Sequence, residues 1–169
     1  MPEPMDHAEH RGVIETILRY IPGFRGYLEK EYRREADELQ REWLAGRLQQ
    51  AKKAIDAAAR PLVDAGQLDL LPQFDRVRSR LDKVLWQIRS AMQGYSGFFD
   101  MVQIGQDDLD RIYAHDVGLI DDVQQLTERI EVMPAQPDKL ADALPEVLNL
   151  IDDLEDQLNL RADILKGLE

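Results

Sequence analysis

Apolar residues recur along this chain at spacings of three and four, and almost nowhere at two. Val13, Ile14, Ile17, Leu18 and Ile21 form a stripe that Pro22 and Gly23 stop, which predicts a short amphipathic helix over 12–21. A longer stripe follows: Leu28, Tyr32, Ala36, Leu39, Trp43, Leu44, Leu48, Ala51, Ile55, Ala58 and Leu62. It predicts a helix from Tyr27 to about Arg60, ended or kinked by Pro61. Phe74, Val77, Leu81, Val84, Leu85, Ile88 and Met92 place the next helix at about 73–93, with Pro72 near its start, where proline is tolerated.

Asp107 and Asp108 open another helix, where acids suit the N-terminal dipole, and its stripe runs through Leu109, Ile112, Tyr113, Asp116, Leu119, Ile120, Val123, Leu126 and Ile130. The segment MPAQPD breaks it. A last helix is expected from about Lys139 to Lys166, with Pro145 either kinking it or marking its true start. Four long helices joined by short connectors predict an all-α fold, an antiparallel up-down four-helix bundle with a short extra N-terminal helix. Residues 1–11 read as a flexible tail and 12–169 as a single helical domain.

One connector does not look like a connector. GYSGFFDMVQIG, Gly94 to Gly105, carries Tyr95, Phe98 and Phe99 between glycines. If the first long helix goes up and the second comes down, this loop returns to the level of YIPGFRGY, Tyr20 to Tyr27. Tyr20, Phe24, Tyr27, Tyr95, Phe98 and Phe99 are then expected at one end, as a structural cap or as a contact surface. The interaction residues expected on the second reading are Tyr95, Phe98, Phe99, Phe24 and Tyr27, with one of the two phenylalanine rings facing in and the other out.

Asp116 falls on the apolar stripe of its helix, and a carboxylate there needs a partner. Arginines from the preceding helices, Arg33, Arg34, Arg41 or Arg89, are the candidates, and the pair Asp116–Arg34 is taken as the expected buried ion pair.

Composition then narrows the chemistry. The chain has 169 residues, no cysteine and a net charge of −12. A disulfide, a thiolate nucleophile or a Cys-ligated zinc is therefore out of reach. The excess acidity lies in residues 106–169, with 17 acidic against 5 basic groups, which argues against nucleic acid and against anionic membrane surfaces as partners. His7-x-x-His10 falls in the expected tail, and the runs Asp121-Asp122 and Asp152-Asp153-Leu154-Glu155-Asp156 fall within helices rather than around a glycine turn. No metal, cofactor or catalytic residue is assigned. There is no phosphate cradle and no nucleophile elbow. The acidic, polar N-terminus does not read as a signal peptide, and no apolar run is long enough for a membrane span, so a cytoplasmic location is expected.

The segments GYLEKEYRREADELQR, 26–41, and GYSGFFDMVQIGQDDLDRIYAHD, 94–116, resemble segments of an uncharacterised family of bacterial all-helical proteins. The resemblance implies a bacterial, all-helical protein and carries no activity. The function expected from these features is a non-enzymatic interaction or adaptor module with another protein as partner, a homo-oligomer being compatible with it. Two alternatives stand beside it. One is a peripheral envelope-associated protein anchored by helix 12–21. The other is an enzyme with a site in the bundle core near Asp116.

Overall fold

A computed structural model of the chain describes residues 4–90 and 96–167, with side chains over 11–90 and 98–167. All regular structure among them is helical. The α-helices are α1 (Pro4–Leu18), α2 (Arg33–Asp64), α3 (Leu71–Ser90), α4 (Ser96–Asp100), α5 (Gln106–Glu131) and α6 (Leu140–Lys166). The MPAQPD break is two single-turn 3₁₀ segments, Met133–Ala135 and Pro137–Lys139, each with proline in its first turn.

Several boundaries differ from the sequence expectation, each for a local reason. The N-terminal helix begins at Pro4 and so takes up most of the expected flexible tail. The first long helix begins at Arg33 rather than Tyr27, because side chains already hold the backbone of Tyr27. Its N–H donates to the Tyr113 hydroxyl at 2.8 Å and its carbonyl accepts from Arg33 Nε at 2.8 Å. Leu28, expected on the stripe, is consequently exposed. Pro61 and Pro145 both lie inside their helices, each leaving one carbonyl without its usual donor. The greasy loop contains a helix of its own, α4.

The helices pack as two antiparallel hairpins, α2 with α3 and α5 with α6. The pairs Lys52–Asp82 and Asp56–Arg78 fall as numbers rise along one helix and drop along the other, and Arg129–Glu146 with His115–Gln157 do the same for the second hairpin. The hairpins then meet side by side, α2 on α5 and α3 on α6. Here the expectation that neighbours are antiparallel is corrected. Arg80–Asp152, Lys83–Glu155 and Gln87–Asn159 climb together along α3 and α6, so these two helices run parallel. The same holds for α2 and α5, where Gln40 lies level with Asp116 and Arg47 reaches Gln124 and Thr127. Consecutive helices α3 and α5 are accordingly not side by side: α5, which begins at Gln106 beyond α4, packs on α2. α1 lies on α5, with Ile17 and Ile21 buried.

Two apolar clusters result. One lies along α2, α3, α5 and α6 toward the Met133 turn and is aliphatic apart from Phe74. The other gathers Ile17, Phe24, Tyr27, Phe98, Phe99, Leu109, Ile112 and Tyr113 at the opposite end.

Candidate functional site

The aromatic end also holds most of the buried charge. Arg33, Asp37, Gln40 and Asp116 are at most 1% exposed and Arg161 is 5% exposed. On α2, Arg33, Asp37, Gln40 and Leu44 follow one another at spacings of four and three, which keeps them on one face. On α6 the same spacing runs Leu154, Leu158, Arg161, Leu165. Polar residues thus replace apolar ones on the core stripes of α2, α5 and α6 at a single level of the molecule.

They form one connected network. Arg161 Nε donates to Asp116 Oδ1 at 2.9 Å, and its Nη2 lies 2.9 Å from Asp37 Oδ1, in ion-pair contact but off the hydrogen-bonding direction. Arg41 Nε donates to the other oxygen of Asp37 at 2.8 Å. Asp116 Oδ2 lies 2.5 Å from the Tyr27 hydroxyl, and Gln40 Oε1 lies 2.9 Å from it. The single phenolic proton goes to the carboxylate, the stronger acceptor. Arg161 Nη2 in turn donates to that hydroxyl at 3.2 Å. Two carboxylates, Asp37 and Asp116, face two guanidinium groups, Arg161 and Arg41, so the charge of this network sums to zero.

The titration directions follow. Burial drives the Tyr27 phenol well above its ordinary value, with the negative charge of Asp116 adding to the effect. Burial raises Tyr113 as well. Burial alone would lower Arg161, but Asp116, Tyr27 and Asp37 outweigh it and hold the guanidinium protonated.

Arg33 performs a separate task. Its Nε caps the Tyr27 carbonyl, its Nη1 donates to the carbonyls of Met101 at 2.5 Å and Phe98 at 3.4 Å, and the guanidinium lies 5.9 Å from the Phe98 ring centroid. One buried cation therefore ties the loop before α2 to the loop after α4. Around it Tyr27 stacks on Tyr113 at 5.6 Å and meets Phe24 and Phe98 edge-on at 5.7 and 5.6 Å. Phe98 and Phe99 lie 5.3 Å apart. Gly26 makes this closure possible. Its φ is +81°, and a Cβ there would sit 2.5 Å from the Tyr113 hydroxyl.

Several expected site residues are corrected by these positions. Asp116 pairs with Arg161 on α6, not with Arg34. Arg34 lies at the surface, 3.5 Å from Asp100 and over the Phe99 ring. Phe24, Tyr27, Phe98 and Phe99 do come together, but all four are buried, at 2, 0, 0 and 2% exposure. They fill the end of the molecule and do not present a contact surface, and neither phenylalanine ring faces out. Tyr20 leaves the cluster to meet Trp43, and Tyr95 lies outside the described residues. Asp37, Gln40 and Arg161 are the partners that the sequence reading misses. Their signal was present as polar residues on core stripes, the same feature that picked out Asp116.

His115 points away from this network, its Nε2 2.8 Å from the Gln157 carbonyl. The acidic runs lie on α5 and α6, where Asp152 and Glu155 pair with Arg80 and Lys83. Among the described residues no group of three or more His, Asp or Glu is placed to hold a metal ion, and no helix is long and apolar enough to cross a membrane. No family model, curated protein or solved structure matches the chain.

Proposed function

We propose that the protein is a non-enzymatic interaction module, built as an up-down four-helix bundle with α1 added along α5. Its partner is another protein, bound through the outer face of the α5–α6 hairpin. The observation that carries this reading is the division of charge between the hairpins. Residues 33–90 hold twelve basic and nine acidic groups, whereas residues 106–166 hold five basic and sixteen acidic ones. Ion pairs between the hairpins, Arg80–Asp152, Lys83–Glu155 and Arg47–Glu131, use only part of that difference. Exposed acids such as Asp121, Asp153 and Asp156 remain on the outer face, and a field of one sign steers a basic partner.

The reading of a core enzyme near Asp116 draws less support. Asp116 is fully buried, and both its oxygens are engaged by Arg161 and Tyr27. Nor does the aromatic end support recognition, since its rings are interior.

The test is affinity capture from the source cells with wild type and with Asp121→Lys/Asp153→Lys/Asp156→Lys, each at low and high salt. A partner that is retained by wild type at low salt, released at high salt and lost in the triple variant is the expected result. A partner held equally by both proteins, or none at any ionic strength, would rule out this face.

A further inference from the structure

Trp86 is the most exposed aromatic ring among the described residues, at 71%, and it lies beside an open groove. Asp82, four residues before it, pairs with Lys52 of α2, and Arg89, three residues after it, lines the groove. Helical spacing therefore sets Trp86 on the outer face of α3, on the side that borders α2. The groove lies between α2 and the end of α3 and offers about 450 Å³. Its small residues, Ala45 and Gly46, keep it open, and a Cβ added at Gly46 would meet nothing within 4 Å. Its rim carries Glu38, Arg41, Glu42 and Arg89. Arg41 is spent on Asp37, whereas Glu38, Glu42 and Arg89 form no ion pair among the described residues.

We infer that the outer face of the α2–α3 hairpin docks on the same face of a second copy of this chain, each Trp86 entering the groove of the other over Gly46. Three observations select a second copy as the occupant. First, the face is self-complementary. A projecting ring and an open groove lie side by side on it, and a two-fold axis between them brings each onto the other. Second, the groove rim holds unspent charges of both signs, so the acids of one copy face Arg89 of the other. Third, the charge of the whole molecule leaves one approach. The chain carries −12 and repels its own copies, but residues 33–90 hold twelve basic and nine acidic groups. Contact through α2–α3 therefore keeps the two acidic α5–α6 hairpins on the far sides of the dimer. A tryptophan seated in a groove and ringed by polar groups is also the usual form of an energetic anchor. The dimer leaves the outer face of α5–α6 open on both copies, so it neither requires nor blocks the partner proposed for that face.

Sedimentation velocity of the purified full chain, from about 1 µM to about 500 µM, tests the dimer without any other component. Wild type should pass from monomer to dimer as concentration rises, and acrylamide quenching of tryptophan emission should weaken over the same range. Trp86→Ser removes the ring and should raise the dissociation constant about 30-fold or more, as for an anchor residue. Gly46→Gln fills the groove with a polar chain and should act in the same direction. Neither position packs in the core, so circular dichroism should show both variants as helical as wild type, with Gly46→Gln gaining helix propensity. A wild-type monomer over the whole range would leave the groove to a different occupant and overturn the inference. A dimer whose dissociation constant is unchanged in either folded variant forms through another face and would overturn it equally.

Discussion

The two ends of the molecule solve the same packing problem by different means. Toward the Met133 turn, α2, α3, α5 and α6 bury Leu, Ile, Val and Ala with a single aromatic, Phe74. At the other end, α2, α5 and α6 bury three arginine or aspartate side chains of one network, a glutamine and five aromatic rings. The aliphatic end needs only complementary volume, because the regular helices there satisfy their own backbone. The aromatic end must close over loop backbone, that of 21–32 and 101–105, whose N–H and C=O groups have no helical partner and must be paired some other way. Arg33 and Tyr113 supply those pairs. Buried polarity therefore sits where the chain changes direction, and its use is to fix how loops and hairpins dock.

The comparison breaks most sharply at Arg161. Arg161→Ala leaves Asp116 and Asp37 without the cation they share, and a broken buried pair costs about 3–5 kcal/mol. Leu126→Ala at the aliphatic end should cost a similar amount, about 2–5 kcal/mol, through a cavity. Urea denaturation at two pH values separates the mechanisms. The Arg161 penalty, which is electrostatic, should depend on pH, while the Leu126 penalty should not. Equal pH dependence would mean that the network is ordinary packing.

Phe98→Ala and Phe99→Ala should each cost about 3–5 kcal/mol, measured by chemical denaturation. Either change combined with Phe24→Ala should be less than additive, since neighbours in one cluster couple. A ring whose removal leaves the stability unchanged would be exposed in solution, and the plug would be wrong at that residue.

Two glycines sharpen the contrast at smaller scale. Gly46 in α2 has nothing within 4 Å of an added Cβ, so Gly46→Ala should stabilise by about 0.5–1 kcal/mol through helix propensity. Gly26→Ala should destabilise by about 1–3 kcal/mol, because overpacking against Tyr113 adds to the strain of φ +81°. Melting temperatures that move in the same direction for both would contradict the close approach at Gly26.

The smallest effect concerns alkaline pH. Tyr27 and Tyr113 hold their protons more tightly folded than unfolded. Between the unfolded phenol value, about 10, and the higher folded values, the native state binds more protons, so stability is intact below that range and falls as pH rises through it. Tyr27→Phe should flatten the alkaline slope of stability against pH, and an unchanged slope would place the titration elsewhere.

The long helices are legible in the chain alone, since each is a local pattern of apolar residues at 3.6-residue spacing, whereas α4 is too short to show a period. Stripes such as Phe74–Val77–Leu81–Val84–Leu85–Ile88 and Leu140–Leu144–Val147–Ile151–Leu154–Leu158 are buried as read. The sequence also marked Asp116 as a buried carboxylate, because one charge on an apolar stripe is visible without any partner. Which arginine answers it was decided only in three dimensions. Arg33, Arg34 and Arg41 all sit near the start of α2, and chain order gives no reason to prefer Arg161, 45 residues beyond Asp116. That choice depends on the rotation of α6 about its axis and on α5 packing parallel to α2. The fate of Phe98 and Phe99 was decided in the same way. Two adjacent rings in a short segment carry no period to say which way they face; both are buried in the cluster with Phe24, Tyr27 and Tyr113, and Arg33 reaches from another element to the Phe98 and Met101 carbonyls.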